Sequence, residues 1–80
     1  MVVLEKIKRE IKNELISCNG TDDTFTTTYD FKDSSLKIYI NGQRLAKDID
    51  YVITGSNTFR IVYYIPKSYF ILLVDYEISY

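Results

Sequence analysis

The side chains with reactive potential in this 80-residue chain are its carboxylates, one cysteine and eight tyrosines; histidine is absent. Without histidine the usual general base, the His-dependent triads and the commonest transition-metal ligand are all missing. Cys18 therefore has no imidazole to hold it as a thiolate, and it reads as a small apolar filler. A zinc site lacks its Cys/His ligand set. Asp22-Asp23 and Asp48/Asp50 fall in expected loops, where Ca²⁺ sites occur, but neither has the dense alternating oxygens such a site needs. They read as turn residues, with Asp50 capping a turn before Tyr51. Glycoside hydrolysis requires two carboxylates opposed across a cleft, for which a domain this small has little room. The three glycines are isolated and form no phosphate cradle. The chain is expected to have no catalytic residues, no metal and no cofactor.

Tyrosine is the remaining chemistry. Tyr39, Tyr63, Tyr64, Tyr69, Tyr76 and Tyr80 could stack on sugars, with Tyr63 and Tyr64 the candidate glycan contacts. The same residues suit sheet packing and protein interfaces, which is the preferred reading. A carbohydrate-binding module using surface tyrosines is the alternative.

These residues must be positioned by a single small domain. Forty-six per cent hydrophobic content excludes a disordered tail. A net charge of −1 gives no basic face for nucleic acid. The charged start Met1-Val-Val-Leu-Glu-Lys-Ile-Lys8 is unlike a secretory signal. No run reaches the roughly 20 apolar residues of a membrane helix. Neither nucleic acid nor membrane is expected as a partner.

Residues 1–19 are predicted to form an amphipathic helix. Leu4, Ile7, Ile11 and Leu15 fall at helical spacing, and Asn19-Gly20 supplies a stop. So narrow a stripe suggests an oligomerisation or anchoring seam. Residues 20–23 read as a hinge, and 24–80 take up strand periodicity. Strands are predicted near 24–31, 36–41, 43–46, 50–54, 58–64 and 70–79. The expected fold is mainly β with one N-terminal helix: a compact antiparallel β-sandwich, Ig-like or a small barrel. In the last strand Phe70, Leu72, Val74, Tyr76, Ile78 and Tyr80 make the core face. Ile71 and Leu73, with Val62, form a second apolar face for the helix or a neighbouring subunit to cover.

The most specific local signal is Asn41-Gly42 within an alternating run. It predicts a two-residue hairpin turn pairing Ile40 with Gln43, Tyr39 with Arg44 and Ile38 with Leu45. Around it stand Ser35-Leu36-Lys37-Ile38-Tyr39, Arg44-Leu45, Asp50-Tyr51, Gly55, Phe59, Pro66 and Val74-Asp75-Tyr76. Over roughly residues 24–78 this pattern resembles a short β-sandwich module of tailed-bacteriophage virion proteins. The resemblance implies a non-enzymatic structural protein: a head fibre, capsid decoration, or head–tail or collar accessory protein. It implies assembly in the host cytoplasm and residence in the virion. The implied partners are further copies of itself, a trimer being favoured, and capsid or portal/connector proteins. A helix plus one module, with no receptor-binding domain following, points to decoration or a fibre base rather than to adsorption.

Overall fold

The computed structural model describes residues 10–79, which form seven strands and one turn of 3₁₀ helix. The strands are β1 (Glu10–Ile16), β2 (Thr24–Thr26), β3 (Lys37–Ile40), β4 (Gln43–Arg44), β5 (Tyr51–Ile53), β6 (Thr58–Ile61) and β7 (Leu72–Glu77). The 3₁₀ turn spans Asp33–Ser35. One sheet has the order β1-β7-β3-β4 and the other β2-β6-β5, with antiparallel pairing throughout both.

The two sheets share one core, as expected of a sandwich. Ile38, Ile40, Leu72, Val74 and Tyr76 enter it from the four-stranded sheet, and Phe25, Tyr51, Phe59 and Ile61 from the three-stranded one. Strict alternation along β7 explains its central place: Leu72, Val74 and Tyr76 are buried, while Leu73, Asp75 and Glu77 between them are only partly covered. Phe59 packs against both Phe25 and Tyr51, at centroid separations of 5.8 and 6.4 Å. The Tyr51 hydroxyl crosses between layers and donates to the Leu36 carbonyl at 3.3 Å.

The hairpin turn forms as expected. Tyr39 pairs with Arg44 and Ile40 with Gln43, and the Leu45 N–H donates to the Ile38 carbonyl at 2.9 Å. Asn41 and Gly42 both have positive φ, 52° and 84°. Several strands are shorter than predicted. The run expected over 24–31 is a strand only to Thr26, and Phe31 returns as a single bridge to Ile78.

The N-terminal helix is corrected. Among the described residues there is no α-helix, and Glu10–Ile16 is an edge strand on β7. A β-bulge between Ile11 and Glu14 splits the expected stripe. An extra residue shifts the strand's parity, so the residues directed toward the core are Ile11, Glu14 and Ile16 rather than every second residue. Leu15 points the opposite way and is 67% exposed. The four-residue step from Ile11 to Leu15 therefore joins residues on opposite faces of the sheet. The strand is the better solution here because it pairs one side of apolar β7, whereas a short helix is marginal in water.

Asn19 consequently ends no helix. Its side-chain oxygen accepts from the Thr21 and Asp22 N–H groups at 2.9 and 2.8 Å, closing a turn in which Gly20 takes φ 80°.

Candidate functional site

Two exposed features stand out among the described residues. The first lies on the outer face of the four-stranded sheet. Leu15 is opposite Leu73, Leu73 is opposite Tyr39, and Tyr39 is opposite Arg44. One residue from each of the four strands therefore makes a continuous row: leucine, leucine, tyrosine, arginine. Ile71, two residues before Leu73, extends this apolar strip and is 54% exposed. Cross-strand neighbours on one face lie about 5 Å apart, so the row is one contiguous surface. Farther along the same face the character changes: Lys37 stands opposite Asp75, and Glu10 opposite Glu77.

The second feature is the connection between β6 and β7. Tyr63 and Tyr69 are 72% and 76% exposed, and Tyr64 and Ile65 are exposed beside them. Buried Pro66 fixes the middle of the loop, and the Phe70 N–H donates to the Lys67 carbonyl at 3.0 Å. Phe70 packs against the core and takes both Tyr64 and Tyr69 edge-on, at 6.4 and 5.3 Å. Beyond it, Asn41 ties down Ile71 twice. The Asn41 N–H donates to the Ile71 carbonyl at 2.8 Å, and the Asn41 side-chain oxygen accepts from the Ile71 N–H at 2.9 Å. Partial burial, with the Asp50 carboxylate nearby, pushes the Tyr64 phenol above its usual value.

These placements regroup the residues anticipated from sequence. Leu4 and Ile7 of the expected seam lie outside the described residues. Ile11 packs toward the core and Leu15 faces outward, so these two do not share a stripe. Ile71 and Leu73 do share a face. Val62 belongs elsewhere, just past β6 in the other sheet, where its N–H donates to the Asp50 carbonyl at 2.9 Å. Tyr76 is no sugar platform, being 3% exposed, and Tyr80 is outside the described residues. Asp50 accepts the Ala46 N–H at 2.8 Å, a capping role.

No family model, curated protein or solved structure matches this chain.

Two elements of the site's geometry were not anticipated. The row joining Leu15 to Leu73 depends on β1 being a strand, which the helical spacing of Leu4, Ile7, Ile11 and Leu15 concealed. The pairing of Tyr69 with Phe70 was visible only as two adjacent aromatics, and nothing in the sequence said which ring would anchor and which would project.

Proposed function

We propose that this chain is a non-enzymatic structural module of a tailed-phage particle, of head-fibre, decoration or head–tail accessory type, acting by docking. The supporting observation is the row Leu15–Leu73–Tyr39 with Ile71, an apolar strip on a face that a solvated sheet would fill with polar residues. Two antiparallel sheets around one core also suit the module that the sequence resembles, with a sandwich preferred to a barrel. The assembly surface is then this sheet face rather than a helical seam.

The occupant is a second copy of the chain. The strip carries a cation at one end, Arg44, and the far end of the same face carries the Glu10, Asp75 and Glu77 carboxylates, with Lys37 opposite Asp75 and Lys32 paired to Glu77 at 2.9 Å. A copy packed in the opposite sense brings unlike charges toward each other around an apolar centre. Capsid or connector proteins are the further partners within the particle, where many weak contacts act together.

Size-exclusion chromatography with light scattering on the whole chain and on Leu15→Lys/Ile71→Lys tests this. The parent is expected to be oligomeric and the double variant monomeric, with unchanged circular dichroism. A double variant that assembles as the parent does would remove the row from the mechanism.

A further inference from the structure

We propose that Asn41-Gly42 is a self-modification site: Asn41 converts to isoaspartate through a cyclic imide and so dismantles the hairpin that aligns Tyr39 with Arg44. The Gly42 nitrogen bonds to Cγ of Asn41 while the Cγ–Nδ2 bond breaks, and Nδ2 leaves as ammonia with the Gly42 amide proton. Water then opens the imide. Entry at Cγ restores the original peptide linkage as aspartate. Entry at the main-chain carbonyl breaks the old peptide bond and routes the chain through Cβ and Cγ. The net change consumes one water, releases one ammonia and needs no oxidant, metal or second protein. Glycine favours it because no side chain covers its nitrogen. Asn13 and Asn57 are followed by Glu14 and Thr58, which leaves Asn19-Gly20 and Asn41-Gly42.

The fold decides between these two. Both pairs are exposed, so exposure alone does not choose. Cyclisation requires the carboxamide to swing until Cγ meets the glycine nitrogen, which forfeits the hydrogen bonds that hold it. The Asn19 oxygen accepts from the Thr21 N–H, the Thr21 hydroxyl and the Asp22 N–H at 2.9, 3.0 and 2.8 Å. Its Nδ2 donates to the Asp22 carboxylate at 2.7 Å. The Asn41 side-chain oxygen accepts only from the Ile71 N–H, at 2.9 Å, and its Nδ2 has no partner among the described residues. Space agrees. A methyl group on Gly42 would meet no atom beyond its chain neighbours within 4 Å, whereas one on Gly20 would lie 3.7 Å from the Ser68 nitrogen. The structural consequence follows from the turn. A two-residue turn fixes register, and isoaspartate adds one backbone atom between Ile40 and Gln43. Strand β4 has only the pairs Ile40–Gln43 and Tyr39–Arg44 with which to resist, so the modification detaches Arg44 from the outer-face row.

The test holds the full chain in warm, mildly alkaline buffer and reads tryptic peptides by mass spectrometry over time. Cleavage releases Ile38–Arg44, whose only asparagine is Asn41, and Asn13–Lys32, which contains Asn19. Labelled methyl transfer by protein isoaspartyl methyltransferase marks the isoaspartate. In buffer Asn41 is expected to convert at least about tenfold faster than Asn19, whose additional hydrogen bonds must break first. In denaturing urea the two should convert at comparable rates. Nuclear Overhauser contacts between Tyr39 and Arg44 should vanish in the isoaspartate form. They should persist in Asn41→Asp, which brings the charge without the extra backbone atom. Three results each overturn the proposal: Asn41 intact in buffer after both sites have reacted in urea, equal rates at the two sites in buffer, or isoaspartate at position 41 with the Tyr39–Arg44 contacts unchanged. None of these readouts depends on whether copies of the chain associate, so they stand or fall apart from docking.

Discussion

The Tyr76 phenol donates to the Glu14 carboxylate at 2.6 Å and accepts the Tyr29 N–H at 3.2 Å. The other oxygen of Glu14 accepts the Thr28 N–H at 3.0 Å. Three segments distant in sequence thus meet at one buried hydroxyl: β1, the Thr27–Tyr29 turn and β7. Tyr76 also stands edge-on to Phe31 at 6.0 Å. This junction holds the edge strand β1 to the body of the domain.

Its titration should be visible at high pH. Burial, and then the hydrogen bond to Glu14, push the Tyr76 phenol up to about 12. The folded value lies above the unfolded value near 10, so the neutral phenol's contribution is complete below pH 10. It is lost as pH rises from about 10 through about 12, because the unfolded chain ionises first. Urea unfolding between pH 8 and 12 should show a plateau followed by a decline of at most about 1.4 kcal/mol per pH unit from this group. Burial raises the Tyr51 phenol as well and steepens the decline. Tyr76→Phe should cost about 1–3 kcal/mol at pH 7, since it strips Glu14 and the Tyr29 N–H of a partner. It should also shrink the alkaline decline by one proton's worth. An unchanged alkaline limb in Tyr76→Phe would mean that another group sets it.

Asn41 has two duties that substitutions can separate. Its backbone sits at φ 52°, and its side chain accepts from Ile71. Asn41→Gly keeps the first and loses the second, and should cost about 1 kcal/mol. Asn41→Ala loses both, adding roughly 1–2 kcal/mol for the left-handed backbone. Chemical denaturation midpoints in the order parent, glycine, alanine are expected. Equal midpoints for the two variants would leave backbone conformation without influence at this turn.

Cys18 should behave as a core residue. It is buried in the main cluster, and burial raises its thiol above the ordinary value. Reaction with a chromogenic disulfide reagent at pH 8 is expected to be slow in buffer. It should accelerate by at least about tenfold in denaturing urea, where the thiol regains its usual acidity. Rapid labelling in buffer would show that the segment after β1 opens easily.

What could be read in the sequence, and what could not, divides along physical lines. Asn41-Gly42 was legible because a two-residue turn demands positive φ at both positions, and few residue pairs satisfy that. The inner face of β7 was legible because strict alternation leaves one parity for the core. The N-terminal segment was not, because a bulge between Ile11 and Glu14 puts Ile11 and Leu15 on opposite faces, and apolar spacing alone does not reveal such a change of parity. The aromatic loop was half legible. Tyr63 and Tyr64 stood out by type, but nothing in their spacing showed that Tyr64 and Tyr69 both pack edge-on against core-packed Phe70. Sequence spacing reports local periodicity, whereas both misreadings turn on contacts with residues some 60 positions away or across a loop.

The bulge offers a direct test of how β1 is held. Asn13 takes φ 55°, and its N–H, displaced from the regular ladder, donates to the Asp75 carboxylate at 2.7 Å. Asp75 lies on β7, so the extra residue is stapled to the strand beside it rather than left to solvent. Asn13→Gly should be nearly neutral, within about 0.5 kcal/mol, since glycine accepts positive φ and keeps the same N–H. Asn13→Val should cost about 1–2 kcal/mol, because a β-branched side chain is strained there. Asp75→Ala should cost about 1 kcal/mol and, more specifically, speed hydrogen exchange at the Asn13 amide. The exchange measurement decides whether the staple contributes to β1 stability. If the Asn13 amide exchanges equally fast with and without the Asp75 carboxylate, the staple carries nothing and the strand is held by its ladder to β7, by Ile11 and Ile16 against the core and by the Tyr76–Glu14 junction.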